Sequence, residues 1–563
     1  MKTKPVIYQV FTRLFGSRST SCVMNGDSST NGCGKMNDFS FKALESIKSL
    51  GVTHIWYTGI IEHATQSDYS SYGIHKDHPS VVKGKAGSPY AIKDYYDIDP
   101  DLAVNVDRRM PEFENLLART HKAGLKAIID FVPNHVAREY HSDSKPSGVV
   151  DLGADDDTSK NFSPSNNFYY INGEPFRPQF DLSDSNGEVY SEIPAKATGN
   201  DFFGANPGRN DWYETVKLNY GVDYQGSRMN YFSPIPDTWS KMLDILKFWC
   251  SKGVDGFRCD MAEMVPCEFW HWAIPQVKSA YPSIIFIAEV YNPQEYRNYI
   301  YNGGFDYLYD KVGLYDTLRI VSNGASASAI TSCWQNVDDI HSHMLNFLEN
   351  HDEQRIASPY FCGSALKGRP ALLVSMLMRE NPVMIYFGQE LGESGSYTEG
   401  FSGDDGRTTI FDYWTIDSIR RWRNGGEFDD KKLLPEEKSL RDYYKKVLRL
   451  CNIESAIREG EFYDVMFANY DNPDMDTNRI YAFLRKQGHS LIVVIANFDS
   501  NALNAKVRIP VAAFDYMGIP KDLGYVSAKD LLSGKSEDVK LSPDGVIETV
   551  LPSSSGKVLK IKI

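Results

Sequence analysis

Four short segments of this 563-residue chain end an apolar run on polar side chains that a buried strand does not need. Asp130-Phe-Val-Pro-Asn134-His135 closes the run Ala127 to Ile129, and Gly256-Phe-Arg258-Cys-Asp260-Met-Ala-Glu263 sets Arg258 and Asp260 two apart, on one face of a strand. Phe286-Ile-Ala-Glu289 carries a single carboxylate, and Phe347-Leu-Glu-Asn350-His351-Asp352 places three hydrogen-bonding side chains in a row. A carboxylate beside an arginine stays ionised and suits a nucleophile, which points to Asp260. A carboxyl group after apolar residues and close to other anions has a raised pKa and suits a proton donor, which points to Glu289. Two such groups about 5 Å apart perform glycoside cleavage with retention of configuration. Asp352 is left to bind sugar hydroxyls and to steady oxocarbenium-like charge, with His135 and His351 placed to hydrogen-bond the same sugar.

For these groups to meet, the elements that carry them must converge. Glu289 follows Asp260 by 29 residues and Asp352 follows Glu289 by 63. These intervals fit one and two strand–helix units of an eightfold barrel, with a skipped strand near Phe305 to Leu308. Apolar runs at Val6–Phe11, Val52–Thr58, Leu125–Val132, Val254–Cys259, Ile284–Ala288, Met344–Leu348 and Val383–Phe387 supply the strands. Amphipathic stretches such as Met110–Ala123 and Trp239–Cys250 supply helices between them. Two regions break this rhythm. Residues 136–236 are rich in Asn, Asp, Ser, Gly, Pro and Tyr and read as a loop-rich insertion after the third strand; residues 460–563 turn to short alternating runs. The expected fold class is therefore α/β: a (β/α)8 TIM barrel from 1–135 and 237–459, an inserted domain at 136–236, and a C-terminal antiparallel β-sandwich at 460–563.

The charge balance, 60 Lys+Arg against 74 Asp+Glu, lacks the basic footprint of a nucleic-acid binder and favours a neutral substrate. No window of about 18 apolar residues reads as a membrane span. The N-terminal run from Met1 to Phe11 is too short for a secretory core, so the reading is cytoplasmic, or periplasmic or secreted if the chain starts after a cleavage site. Eight cysteines without CxxC spacing read as reduced thiols, with Cys22 and Cys33 the one pair near enough in sequence to join.

In order and spacing, DFVPNH, GFRCDMAE, FIAEV and FLENHD resemble the four signature regions of the α-amylase family of glycoside hydrolases. Tyr8-Gln-Val-Phe11, Tyr90-Ala-Ile-Lys-Asp94-Tyr95-Tyr96, Leu218-Asn219-Tyr220-Gly221 and Tyr386-Phe-Gly388-Gln389-Glu390 add to the match. The resemblance implies Asp260 as nucleophile, Glu289 as general acid/base and Asp352 as transition-state stabiliser. Arg258, His135, His351 and Tyr90 would form the rest of the sugar site, and Asp130 would be a structural aspartate. It also implies a structural Ca2+ with Asn134 among its ligands, and no organic cofactor. Where many members have a Lys-His pair after the nucleophile, this chain has Glu263 and Met264, and Ala91 follows Tyr90 where many have Asp. The polar stretch Asn25 to Asp38 offers oxygen donors but no calcium-loop spacing. Hydrolysis of α-1,4 bonds in starch, glycogen or maltodextrins is the first expectation. The acceptor-side departure keeps transglycosylation open, and a non-catalytic glucan-binding protein is the reading from another class.

Overall fold

The computed structural model describes residues 3–563; Met1 and Lys2, the start of the segment read above for a leader, lie outside them. Eight parallel strands form a barrel: β1 (Val6–Phe11), β2 (His54–Thr58), β3 (Lys126–Phe131), β4 (Gly256–Cys259), β5 (Ile285–Ala288), β6 (Tyr307–Tyr309), β7 (Met344–Leu345) and β8 (Val383–Tyr386). Each pairs with the next in sequence, β8 returns to β1 through Val6 and Val383, and Asn346 just past β7 bridges to Val383 to close the ring. The strands read as continuous apolar runs because both faces are covered, by side chains within the barrel and by helices outside. Gly256 opens β4 because a Cβ there would stand 2.5 Å from Ile285 Cγ1 on the neighbouring strand.

Helix α1 (Arg109–Lys122) buries Phe113, Leu116, Leu117 and Thr120. Its Glu112 in the first turn and Arg119, His121 and Lys122 in the last complement the helix dipole. Helix α2 (Asp237–Lys252) ends on Gly253, whose φ of 98° is the left-handed conformation that stops helices. Among the described residues no helix is long and apolar enough to cross a membrane.

Between β3 and α2 the chain makes only short ladders, such as His135–Ala137 with Thr215–Lys217 and Tyr170–Ile171 with Ala195–Lys196. After the last barrel helices it forms an antiparallel six-stranded sheet and a two-stranded ladder. Arg485, fully buried in that sheet, donates to the carbonyls of Met378 and Gly460 at 2.8 and 2.7 Å, tying it to the barrel. The cysteines are all free thiols, Cys22 and Cys33 included.

Candidate active site

Alternation along β4 puts Arg258 and Asp260 on the same face, and the fold adds Glu289 from the end of β5. Arg258 is fully buried; its Nη1 donates to Asp260 Oδ1 at 2.7 Å and its Nη2 to Glu289 Oε2 at 2.6 Å. Nη1 also lies 3.5 Å from Asp130 Oδ1, and Nε donates to the Tyr309 hydroxyl at 3.2 Å. Trp56 and Tyr90 flank the guanidinium, each ring centroid 5.3 Å away. Glu289 accepts two further bonds, from the Met261 amide at 2.8 Å and the Tyr291 hydroxyl at 2.5 Å. Met261 reaches that position in a left-handed backbone, φ 42°, a conformation that costs a non-glycine residue about 1–3 kcal/mol and clusters at functional sites.

Asp352, just beyond β7, has its Oδ2 3.0 Å from His351 Nε2. The Gln9 amide nitrogen on β1 lies 2.8 Å from His351 Nδ1 and 3.1 Å from the Thr58 hydroxyl. An amide nitrogen only donates, so Gln9 hydrogen-bonds His351 when Nδ1 carries no proton. Tyr90 stacks on His351 at 5.0 Å and its hydroxyl donates to Asp130 at 3.4 Å; Trp56 Nε1 donates to the other Asp130 oxygen at 2.9 Å. His135, packed at 5.4 Å from Trp212, is pushed down to about 3 by burial and by Lys217 and Lys83, which favours the neutral imidazole.

These residues border one cavity of about 580 Å³, which Tyr90, His135, Asp260, Glu289 and Asp352 all line. Burial raises the Asp260 carboxyl well above the usual range; Arg258 opposes this, while Glu289, Asp352 and Asp130 reinforce it. Burial would raise Asp352 too, but His351, Arg258 and Arg407 outweigh it and hold that carboxyl at about 2. Arg258 is shared between two carboxylates rather than reserved for Asp260, and burial outweighs it there, so the ionised Asp260 expected from its arginine neighbour is not what this environment favours in the free protein.

Asn134 is where the family resemblance places a calcium ligand, and an ammonium already sits there. Lys217 Nζ, buried, donates to Asn134 Oδ1 at 2.5 Å and to the Met264 carbonyl at 3.3 Å, and lies 2.8 Å from Asp201 Oδ1. A cation on the same oxygens would meet that charge, so these residues do not fit calcium; the lysine itself joins the ends of β3 and β4 to the insertion. Replacing Lys217 with Met should cost about 2–3 kcal/mol in urea-measured unfolding free energy, because Asn134 loses its donor and Asp201 its partner; unchanged stability would remove the lysine from this role. Elsewhere, oxygens of the buried Glu62, Asp94 and Asp97 lie within 4.8 Å of one another and could hold a metal ion. In the stretch from Asn25 to Asp38, Asp27 caps a short helix and Asp38 pairs with Arg18 and Arg423.

Of the partners Gln9, Trp56, Tyr291 and Tyr309, the last three carry no mark in the sequence. Gln9 alone left a signal, as the one polar residue interrupting the apolar run of β1. Of the insertion aromatics, Trp212 lines the cavity, whereas Tyr220 is buried against Phe269.

Residues 24–442 match the family model described as alpha amylase, catalytic domain, and residues 470–561 match alpha amylase, C-terminal all-beta domain. Alpha-amylase 3 of Dictyoglomus thermophilum is 25% identical, over 81% of this chain and 78% of its own. Trehalose-6-phosphate hydrolase of Bacillus subtilis is 22% identical, over 88% and 89%. The α-amylase of Geobacillus thermoleovorans, solved with acarbose, superposes with a TM-score of 0.65 at 18% identity over the full length of both chains.

Proposed function

The chain belongs to the α-amylase family of glycoside hydrolases and is a glycosidase acting on α-glucans, and from that premise we propose that it hydrolyses α-1,4-glucosidic bonds with retention, through a glucosyl ester on Asp260. Glu289 protonates the glycosidic oxygen while Asp260 Oδ attacks the anomeric carbon and the C–O bond breaks. Glu289, then ionised, takes a proton from water as that water displaces Asp260. Asp352, Tyr90, His135 and His351 hold the sugar, and Arg258 fixes the spacing of the two working carboxyls.

The observation that carries this reading is the shared guanidinium. Adjacent amino groups of Arg258 bind Asp260 at 2.7 Å and Glu289 at 2.6 Å. One fork keeps the two close together, which favours the separation of about 5 Å used in retention over the roughly 6.5–9.5 Å needed to seat a water for inversion. The intact set of Asp260, Glu289 and Asp352 disfavours a binding-only protein. Transglycosylation stays the second reading because Glu263 and Met264 stand on the acceptor side, where the Glu263 carboxylate accepts from the Asn292 amide at 3.1 Å. Chromatography of a maltoheptaose digest separates the two: shorter maltooligosaccharides are expected, products longer than the substrate would make it a transferase, and unchanged heptaose would overturn the substrate assignment.

A further inference from the structure

We propose that Lys83 and Glu214 close the glycone end of the active-site cavity and bind the hydroxyls of a chain's non-reducing terminal glucose, so that the enzyme releases sugar from chain ends. The inference rests on the glycosidase reading above and deepens it.

Lys83 lies in the segment that follows β2, and Glu214 lies in the insertion, next to the strand Thr215–Lys217. Their side chains meet at 2.9 Å, only 11% and 5% exposed, and both line the same cavity as Asp260, Glu289 and Asp352. The pair therefore ties a barrel loop to the insertion at the cavity itself, where an open cleft would leave a gap for a continuing chain. The Lys83 ammonium also sits over the Tyr213 and Phe411 rings at 5.5 and 5.9 Å, which fixes it in place.

Strand order decides which end of the substrate this pair meets. The strands follow one another around the ring, so β5, which carries Glu289, stands across the barrel from β1. Lys83 comes from the loop after β2 and Phe411 from the segment after β8, the two neighbours of β1. The proton donor must face the leaving-group oxygen, so the departing sugar extends over the β5 side and the glycone over the β1 side. Lys83 stands there beside Phe411, and Glu214 reaches it from the insertion, where the adjoining strand Thr215–Lys217 pairs with His135–Ala137 beyond β3. Glu214 occupies one of the three ammonium donors of Lys83, leaving others for hydroxyls. A terminal glucose offers a free O4 hydroxyl at that place, whereas an internal residue brings a glycosidic oxygen and a further ring.

The test compares maltoheptaose with maltoheptaose whose terminal O4 and O6 are blocked by a benzylidene group, using the wild type and Lys83→Ala. In the wild type, kcat/KM for the blocked sugar should be at least 100-fold below that for the free one. Lys83→Ala should raise the blocked-to-free ratio at least tenfold by opening the end. Wild-type cleavage of both sugars within threefold would overturn the proposal, with no dependence on how the variant folds. Failure to cleave either sugar would instead overturn the glucan-hydrolase reading beneath it.

Discussion

Asp260→Asn should lower kcat on maltoheptaose by at least about 10⁴-fold, equivalent to roughly 5.5 kcal/mol of transition-state stabilisation. The amide keeps the shape of the carboxylate but cannot form the ester, so the loss falls on chemistry rather than on the fold. The substitution also changes what Arg258 holds: its Nη1 loses an anionic acceptor, while Nη2 keeps Glu289 at 2.6 Å. Substrate binding should therefore survive, and a thermal melt should show a folded protein. Initial rates by reducing-sugar release are the measurement. A variant that retains a tenth of wild-type activity would remove Asp260 from the nucleophile's role.

Glu289→Ala carries the second large effect, and its signature is selectivity between substrates. On maltoheptaose the loss of proton donation should lower kcat by about 10³-fold. α-Glucosyl fluoride needs no protonation to leave, so Asp260 should still be glycosylated and the intermediate should accumulate, since no base activates water. Azide attacks the anomeric carbon without a base and displaces the Asp260 carboxylate. Adding azide should then restore turnover of the fluoride to within about tenfold of wild type and yield α-glucosyl azide. Equal losses on both substrates, with no rescue, would mean that Glu289 is not the acid/base. The control is Tyr291→Phe, which deletes the 2.5 Å bond to Glu289 and leaves the carboxyl in place, so it should retain acid/base chemistry on maltoheptaose.

The barrel is legible in this sequence for a physical reason: strands buried on both faces are mostly apolar, and the chain marks seven of the eight with a run of such residues. The polar groups that end those runs stand out for the same reason, which is why Asp260, Glu289 and Asp352, which line one cavity, can be picked out as candidates from the sequence. The expected strand Met344–Leu348 is shorter in the fold, Met344–Leu345, because the ring closes there through the single residue Asn346. What the sequence does not disclose is the pairing around the site. Trp56 and Tyr309 look like ordinary apolar strand residues, and only their neighbours reveal that one donates to Asp130 and the other accepts from Arg258. Lys217 and Glu214 lie in a segment without periodicity, where no rule of spacing links them to Asn134 or Lys83. The calcium expectation at Asn134 came from family resemblance, and a lysine 83 residues further on takes that oxygen.

The central claim is retention through an Asp260 ester, and the anomer formed first tests it most directly. Proton NMR of a maltoheptaose digest, recorded within the first minutes and before mutarotation, reads the new reducing end. The α-anomer should appear first and the β-anomer grow in only later, as two displacements at one carbon require. A β-anomer formed first would mean a single displacement by water and would contradict the account.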